Sequence, residues 1–185
     1  MVKKLAEASL RKRLEQMDEA SLIQMIIDLY KGSNAAEKAI NLCLLGDDYG
    51  MGLLDQYKKR LYKIFNPADI VRTGFSLEAA QVVLDDFADV CIDSDRLYGD
   101  LALYFAECAT DFTMSYGDID DEFYDALVDA YHVAVVAAAK DKRVYEILKD
   151  RFRSVLDAFA GFGWGMEDEI SDEYFSIPWI GEGEE

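Results

Sequence analysis

The spacing of apolar residues constrains this chain more than any other feature of its sequence. Apolar residues recur every three or four positions almost throughout, and no stretch alternates apolar and polar residues with the period of two that is typical of a β-strand. Only two prolines, Pro67 and Pro178, interrupt the 185 residues, which leaves long uninterrupted stretches for helices. The sequence therefore predicts an all-α protein.

Glycines and capping residues divide the chain into eight or nine predicted helices. Asp18 precedes the apolar stripe of the second predicted helix and is placed to cap that helix. Ser76 has the same position before the predicted helix that follows it. Short turns make consecutive helices pack side by side. Because eight or nine helices exceed a four-helix bundle, we expect an α–α stack, a superhelix of degenerate helical repeats. A compact orthogonal bundle is the alternative.

The length of the chain fits one domain, and we expect residues 1–178 to form it. Residues 179–185 end in an acidic Gly/Glu run with nothing to bury, which predicts a mobile tail. No apolar run approaches the ~20 residues of a membrane span, and the N-terminus lacks the apolar core of a secretory signal. Cys43, Cys91 and Cys108 lack CxxC spacing and lie among apolar residues, which favours buried free thiols and a cytoplasmic protein.

The formal net charge of −18 limits the classes of partner. A field of this sign repels phosphate backbones and anionic lipid surfaces, so we expect no direct nucleic-acid binding and no membrane binding. No Lys or Arg occurs between Arg96 and Lys140, where acidic residues recur. Solubility explains this asymmetry, and the alternative is a partner that is basic or polyamine-like.

One acidic helical face could hold a metal ion. Asp125, Asp129 and His132 are spaced by four and three residues, so they lie along one face of a helix. Glu107 and Asp111 are four apart on the preceding helix, and an antiparallel hairpin would bring them opposite that face. Facing carboxylates with a histidine are typical of metal sites in helical bundles. We expect no cofactor, with a divalent metal at these residues as one alternative and a solvated acidic face as the other.

A second set of candidate residues belongs to two glycine-containing joints. In "YGDID", Gly117 ends one helix and Asp118 or Asp120 caps the next, beside Tyr116. In "GFGWGMEDE", Gly161 or Gly163 supplies the left-handed residue that ends a helix. The side chains that could also contact a partner at these joints are Tyr116, Asp118, Asp120, Trp164 and Asp168.

Three stretches together resemble a family of small bacterial cytoplasmic proteins whose domain has no known function. They are "SLIQMIIDLYKGS", "CATDFTMSYGDIDDEFYDALVDAY" and "GFGWGMEDEISDEYF". The resemblance spans nearly the whole chain, and its specificity comes mainly from "YGDID" and the glycine–tryptophan segment. It implies an all-helical protein and no particular activity.

These observations predict a non-catalytic helical module that binds a protein or peptide through an acidic surface containing aromatic residues, and the charge of that surface favours a basic partner. A carboxylate- and histidine-based metal protein or enzyme is the first alternative. An acidic mimic of DNA is the second, although basic clusters at 58–63 and 140–153 dilute its charge pattern. No catalytic residue and no oligomeric state is predicted.

Overall fold

The computed structural model of the chain describes residues 4–68, 72, 74–91, 94–117, 119–163 and 165–181. These residues form nine α-helices and no β-strand. The helices are α1 (Glu7–Leu14), α2 (Glu19–Gly32), α3 (Asn34–Leu45), α4 (Asp47–Phe65), α5 (Leu77–Ala88), α6 (Asp95–Tyr116), α7 (Asp121–Lys140), α8 (Lys142–Ala158) and α9 (Met166–Phe175). The prediction of an all-α protein with eight or nine helices is confirmed.

Local capping explains where most helices begin. Six of them follow a residue whose side chain accepts a hydrogen bond from a backbone N–H of the first turn, and each such cap stabilises a helix by about 1 kcal/mol. The capping residues are Asp18, Ser33, Ser76, Ser94, Asp120 and Asp141. The predicted caps Asp18, Ser76 and Asp120 are therefore confirmed.

The hydrophobic core surrounds α6, of whose 22 residues twelve are buried. This helix packs against α4, α5, α7 and α8. Its approach to α7 depends on Gly99, because a Cβ atom added there would lie 2.6 Å from the Cβ of Ala137. Aromatic rings join the layers, and Phe65 of α4 stacks edge-on against Phe105 of α6 with centroids 5.4 Å apart.

The order of packing follows the order of the chain. The main contacts from α2 onward join consecutive helices, and the others join helices two positions apart: α4 with α6, α6 with α8, and α7 with α9. Contacts of this order are compatible with the predicted α–α stack, in which each helix packs on its neighbours along the chain. None of the described helices is long and apolar enough to span a membrane.

The N-terminal helices α1, α2 and α3 differ from the others because they contain no buried residue. One consequence concerns the cysteines. Cys91 and Cys108 are buried as predicted, but Cys43 on α3 is exposed, so the prediction of a buried thiol is wrong there. Its apolar neighbours in the sequence are themselves uncovered, since Leu44 is 76% exposed.

The beginning of the predicted tail is packed. Trp179 and Ile180 lie partly buried against the core. The indole Nε1 of Trp179 donates a hydrogen bond of 2.9 Å to the carbonyl oxygen of Ala138, near the end of α7. The packed chain therefore continues to at least Ile180, and residues 182–185 lie outside the described residues.

Candidate functional site

The five predicted metal ligands do not form one site. Helices α6 and α7 pack against each other as the hairpin requires. His132, however, contacts Glu173 of α9, with 2.8 Å between its Nδ1 and the carboxylate Oε2. Within the described residues, no group of three or more His, Cys, Asp or Glu side chains is arranged to hold a metal ion. Asp111, Asp125 and Asp129 are exposed.

Glu107 has a partner that the sequence pattern did not predict. The guanidinium of Arg151 on α8 donates two hydrogen bonds to its carboxylate, at 2.7 and 2.8 Å. Arg151 also pairs with Asp100, which in turn accepts from Lys58 Nζ at 2.7 Å. Burial lowers the pKa of Arg151, but the hydrogen bonds that it donates to Glu107 and the charges of Glu107 and Asp100 outweigh this effect and raise the pKa above its ordinary range. These four residues form a fixed ion-pair network between α4, α6 and α8.

The predicted joint residues serve the local structure where they are described. Asp120 caps α7 by accepting a hydrogen bond of 2.9 Å from the Phe123 N–H. Tyr116 is exposed and stacks on Phe112 with ring centroids 4.6 Å apart. Asp168 is exposed in the first turn of α9. Asp118 and Trp164 lie outside the described residues.

The glycine joint before α9 is confirmed as a turn. Gly161 has a φ of 75° and Gly165 a φ of 79°, whereas Gly163 is not in the left-handed region. The preceding helix ends at Ala158, so Gly161 supplies a left-handed residue within the turn that follows and does not itself end the helix. Phe162 packs on Phe159 with centroids 5.2 Å apart. The carboxylate of Glu167 closes the turn by accepting from the Gly161 N–H at 2.9 Å.

Two of the predicted residues line a groove between α4, α6 and α8, with a volume of about 530 Å³. We call it the α4–α6–α8 groove. It brings Glu107 and Asp111 together with two tyrosines, Tyr62 and Tyr104, that the sequence did not single out. Its remaining lining residues are Asn66, Cys108, Thr110, Ser154, Val155 and Ala158.

The chemistry of this groove is that of carboxylates and aromatic rings. Burial raises the pKa of both Tyr104 and Cys108 to about 12, so the phenol and the thiol are neutral at pH 7 and neither supplies a nucleophile. The Tyr62 side chain is open, with Tyr62 55% exposed. Asp111 is exposed and forms no ion pair with any described residue. The groove therefore contains an exposed carboxylate and an exposed aromatic ring.

A larger groove, of about 760 Å³, lies where the N-termini of α6 and α8 meet the end of α7. Its charged residues satisfy one another. Lys140 pairs with Asp95 at 2.8 Å, and Arg143 pairs with Asp141 at 2.8 Å. The acidic and basic side chains of this groove are equal in number and pair with one another. They are therefore less available to a charged partner than the exposed carboxylate of the α4–α6–α8 groove.

Comparison of the chain with protein-family models, curated proteins and solved structures gave no match. The resemblance to an uncharacterised bacterial family stays a prediction.

Proposed function

We propose that this chain is a non-catalytic binding protein that holds a basic segment of another protein in the α4–α6–α8 groove. The observation that carries the proposal is the presence of Tyr62 and Asp111, an exposed ring and an exposed carboxylate, in one groove. A Lys or Arg side chain placed there would meet opposite charge and a ring face together.

The protein itself provides an example of this contact. Lys58 Nζ lies over the ring of Tyr104, 5.5 Å from its centroid, while the same ammonium pairs with Asp100. A cation over an aromatic ring gains ~0.5–1 kcal/mol at an exposed site. An exposed ion pair adds a similar amount. Tyr62 and Asp111 offer the same pair of contacts to a cation from outside the chain.

The overall charge of residues 47–185 favours a basic partner. Residues 47–185 contain 12 basic and 31 acidic residues, a net charge of −19. Such a field raises the association rate of a cationic ligand, and salt screens it over a Debye length of about 10 Å at 0.1 M. We expect the basic segment to bind fastest at low ionic strength.

The test is the binding of a fluorescently labelled Lys/Arg-rich peptide, followed by anisotropy, against a Glu-rich peptide of equal length. We expect the basic peptide alone to bind. Asp111→Asn and Tyr62→Ala should each weaken binding roughly two- to fivefold, the factor that 0.5–1 kcal/mol represents.

Two variants with matched chemistry are the controls. Asp168→Asn makes the same change of charge away from the groove, and Tyr116→Ala removes a tyrosine that is 56% exposed against 55% for Tyr62. Both should bind the basic peptide as the wild type does. Equal losses in all four variants would mean that the peptide recognises the general acidic field, and the groove would then have no special role.

A further inference from the structure

Helix α2 is apolar around most of its circumference, yet none of its residues is buried. Half of its 14 residues are large and apolar: Leu22, Ile23, Met25, Ile26, Ile27, Leu29 and Tyr30. Ile23, Ile26 and Ile27 are 50%, 48% and 38% exposed. A helix with so wide an apolar surface is normally covered on several sides.

The neighbouring helices extend this surface. Of the 18 large hydrophobic residues that are exposed in the described part of the chain, eleven lie between Leu5 and Met51, including Leu44 and Leu45 on α3 at 76% and 62%. We call these eleven residues the N-terminal apolar surface. Summed over these eleven residues, the exposed fractions amount to roughly 900 Å² of apolar area, against about 800 Å² per partner in a stable interface.

The charge of this region identifies what can cover it. Residues 1–46 contain seven basic and six acidic residues, a net charge of +1, while residues 47–185 carry −19. Two copies of a chain with a net charge of −18 repel each other through their acidic surfaces. The N-terminal apolar surface is the region where a second copy can approach without that repulsion.

We propose that the N-terminal apolar surface binds a second copy of this chain, with α2 packed antiparallel on α2 of the other copy around a two-fold axis. The stripe Ile23, Ile26, Ile27 and Tyr30 has the 3–4 spacing of a helix–helix seam and is centred between Ile26 and Ile27. In this register, Lys31 of each copy lies within about one helical turn of Glu19 in the other, because the rise is about 1.5 Å per residue. The same surface meets itself, so the assembly closes as a dimer.

The first experiment measures mass in solution by light scattering coupled to size exclusion. The protein concentration is about 50 µM, because the weakest interfaces of this area have a Kd in the micromolar range and would still be formed at that concentration. We expect a dimer for the wild type. Ile26→Asp places a charge at the centre of the seam and should yield a monomer.

Ile147→Asp is the matched control, because Ile147 is 61% exposed on α8 and lies far along the chain from α2. This variant should remain a dimer. Circular dichroism separates dissociation from unfolding, and we expect Ile26→Asp to keep the helical signal of the core, since Ile26 is not buried in the single chain. A monomeric wild type, or a dimer unaffected by Ile26→Asp, would overturn the proposal.

A cross-linking experiment tests the register. Cys43 is the exposed cysteine among the three, so a Cys43→Ser background removes the competing thiol. In that background Ile26→Cys lies beside the two-fold axis and should form a disulfide-linked dimer on mild oxidation. Gln24→Cys on the polar side of α2 should not. Cross-linking of both to the same extent would mean that α2 does not pair through this stripe.

Discussion

Residues 1–46 and residues 47–185 use the same helical periodicity but arrange it differently. From Asp47 onward, apolar side chains are enclosed by α4–α9, and acidic residues give the outer surface a net charge of −19. Before Asp47, helices of similar pattern leave their apolar residues exposed, and the net charge is +1. Apolar residues at 3–4 spacing therefore indicate that one face of a helix packs against another surface. The spacing does not indicate whether that surface belongs to the same chain or to another one.

The largest predicted effect is a loss of stability, and it compares a substitution in the core of residues 47–185 with one on the apolar surface of residues 1–46. Phe105 is fully buried in α6, and Phe105→Ala should lower the free energy of unfolding by about 3–5 kcal/mol because it leaves a cavity. Ile26→Ala should lower it by less than about 1 kcal/mol in dilute, monomeric protein, since half of that side chain is already exposed. Urea unfolding gives both values. Equal losses of unfolding free energy in the two variants would contradict the claim that the core is buried and the N-terminal apolar surface exposed.

A second prediction compares arginines. Arg151→Met should destabilise the fold by about 2 kcal/mol, because it leaves Glu107 without its partner and Asp100 with Lys58 alone, and these two carboxylates are only 23% and 14% exposed. Partial contact with water keeps this loss below that of a fully buried pair. Arg13→Met on α1 is the control and should change stability by less than about 0.5 kcal/mol, since Arg13 is exposed. Thermal and urea unfolding of the two variants would separate these values, and equal effects would remove the structural role of the ion-pair network.

The smallest predicted effect concerns pH. Burial raises the pKa of Cys91 from 9.0 to about 11. The unfolded chain therefore releases this proton near pH 9 while the folded chain keeps it, so the unfolded state binds fewer protons and stability falls as pH rises from about 9 to 11. Between pH 8.5 and 10 the loss from this thiol is about 1 kcal/mol.

Urea unfolding at several pH values checks this contribution. Cys91→Ala should flatten the alkaline decline by that amount, whatever the variant's stability at pH 7. Cys43→Ala, at the exposed cysteine, is the matched control for the substitution itself. A decline unchanged by Cys91→Ala would show that this thiol ionises alike in the folded and unfolded chains.

The accuracy of prediction from sequence depended on how local each interaction is. The helix caps Asp18 and Asp120 follow from residues three positions apart, and both were predictable. The partners of Glu107 and His132 are 44 and 41 residues away along the chain. Spacing along one helix defines which residues share a face, but it does not identify the helix that packs on that face. For this reason the five predicted metal ligands were assigned to the correct helices, but the prediction that they meet at one site was wrong.

The same limit explains the surface features that the sequence did not reveal. Cys43 and Cys108 both stand among apolar residues, yet only Cys108 is covered, because α6 is central and α3 is not. The α4–α6–α8 groove combines residues from three separate helices. Tyr62 has the spacing of an ordinary helical residue, and its role in the groove depends on packing between helices that no local pattern describes.

The chain-order packing of α4–α9 has a consequence for folding kinetics. Because the main contacts join helices one or two positions apart, the average contact spans a short stretch of sequence for a chain of this size. Folding rates rise as this separation falls, since less chain entropy is lost before each contact forms. Each helix can dock soon after the next one or two have been synthesised. Growth of the core on the ribosome can therefore begin well before α9 emerges.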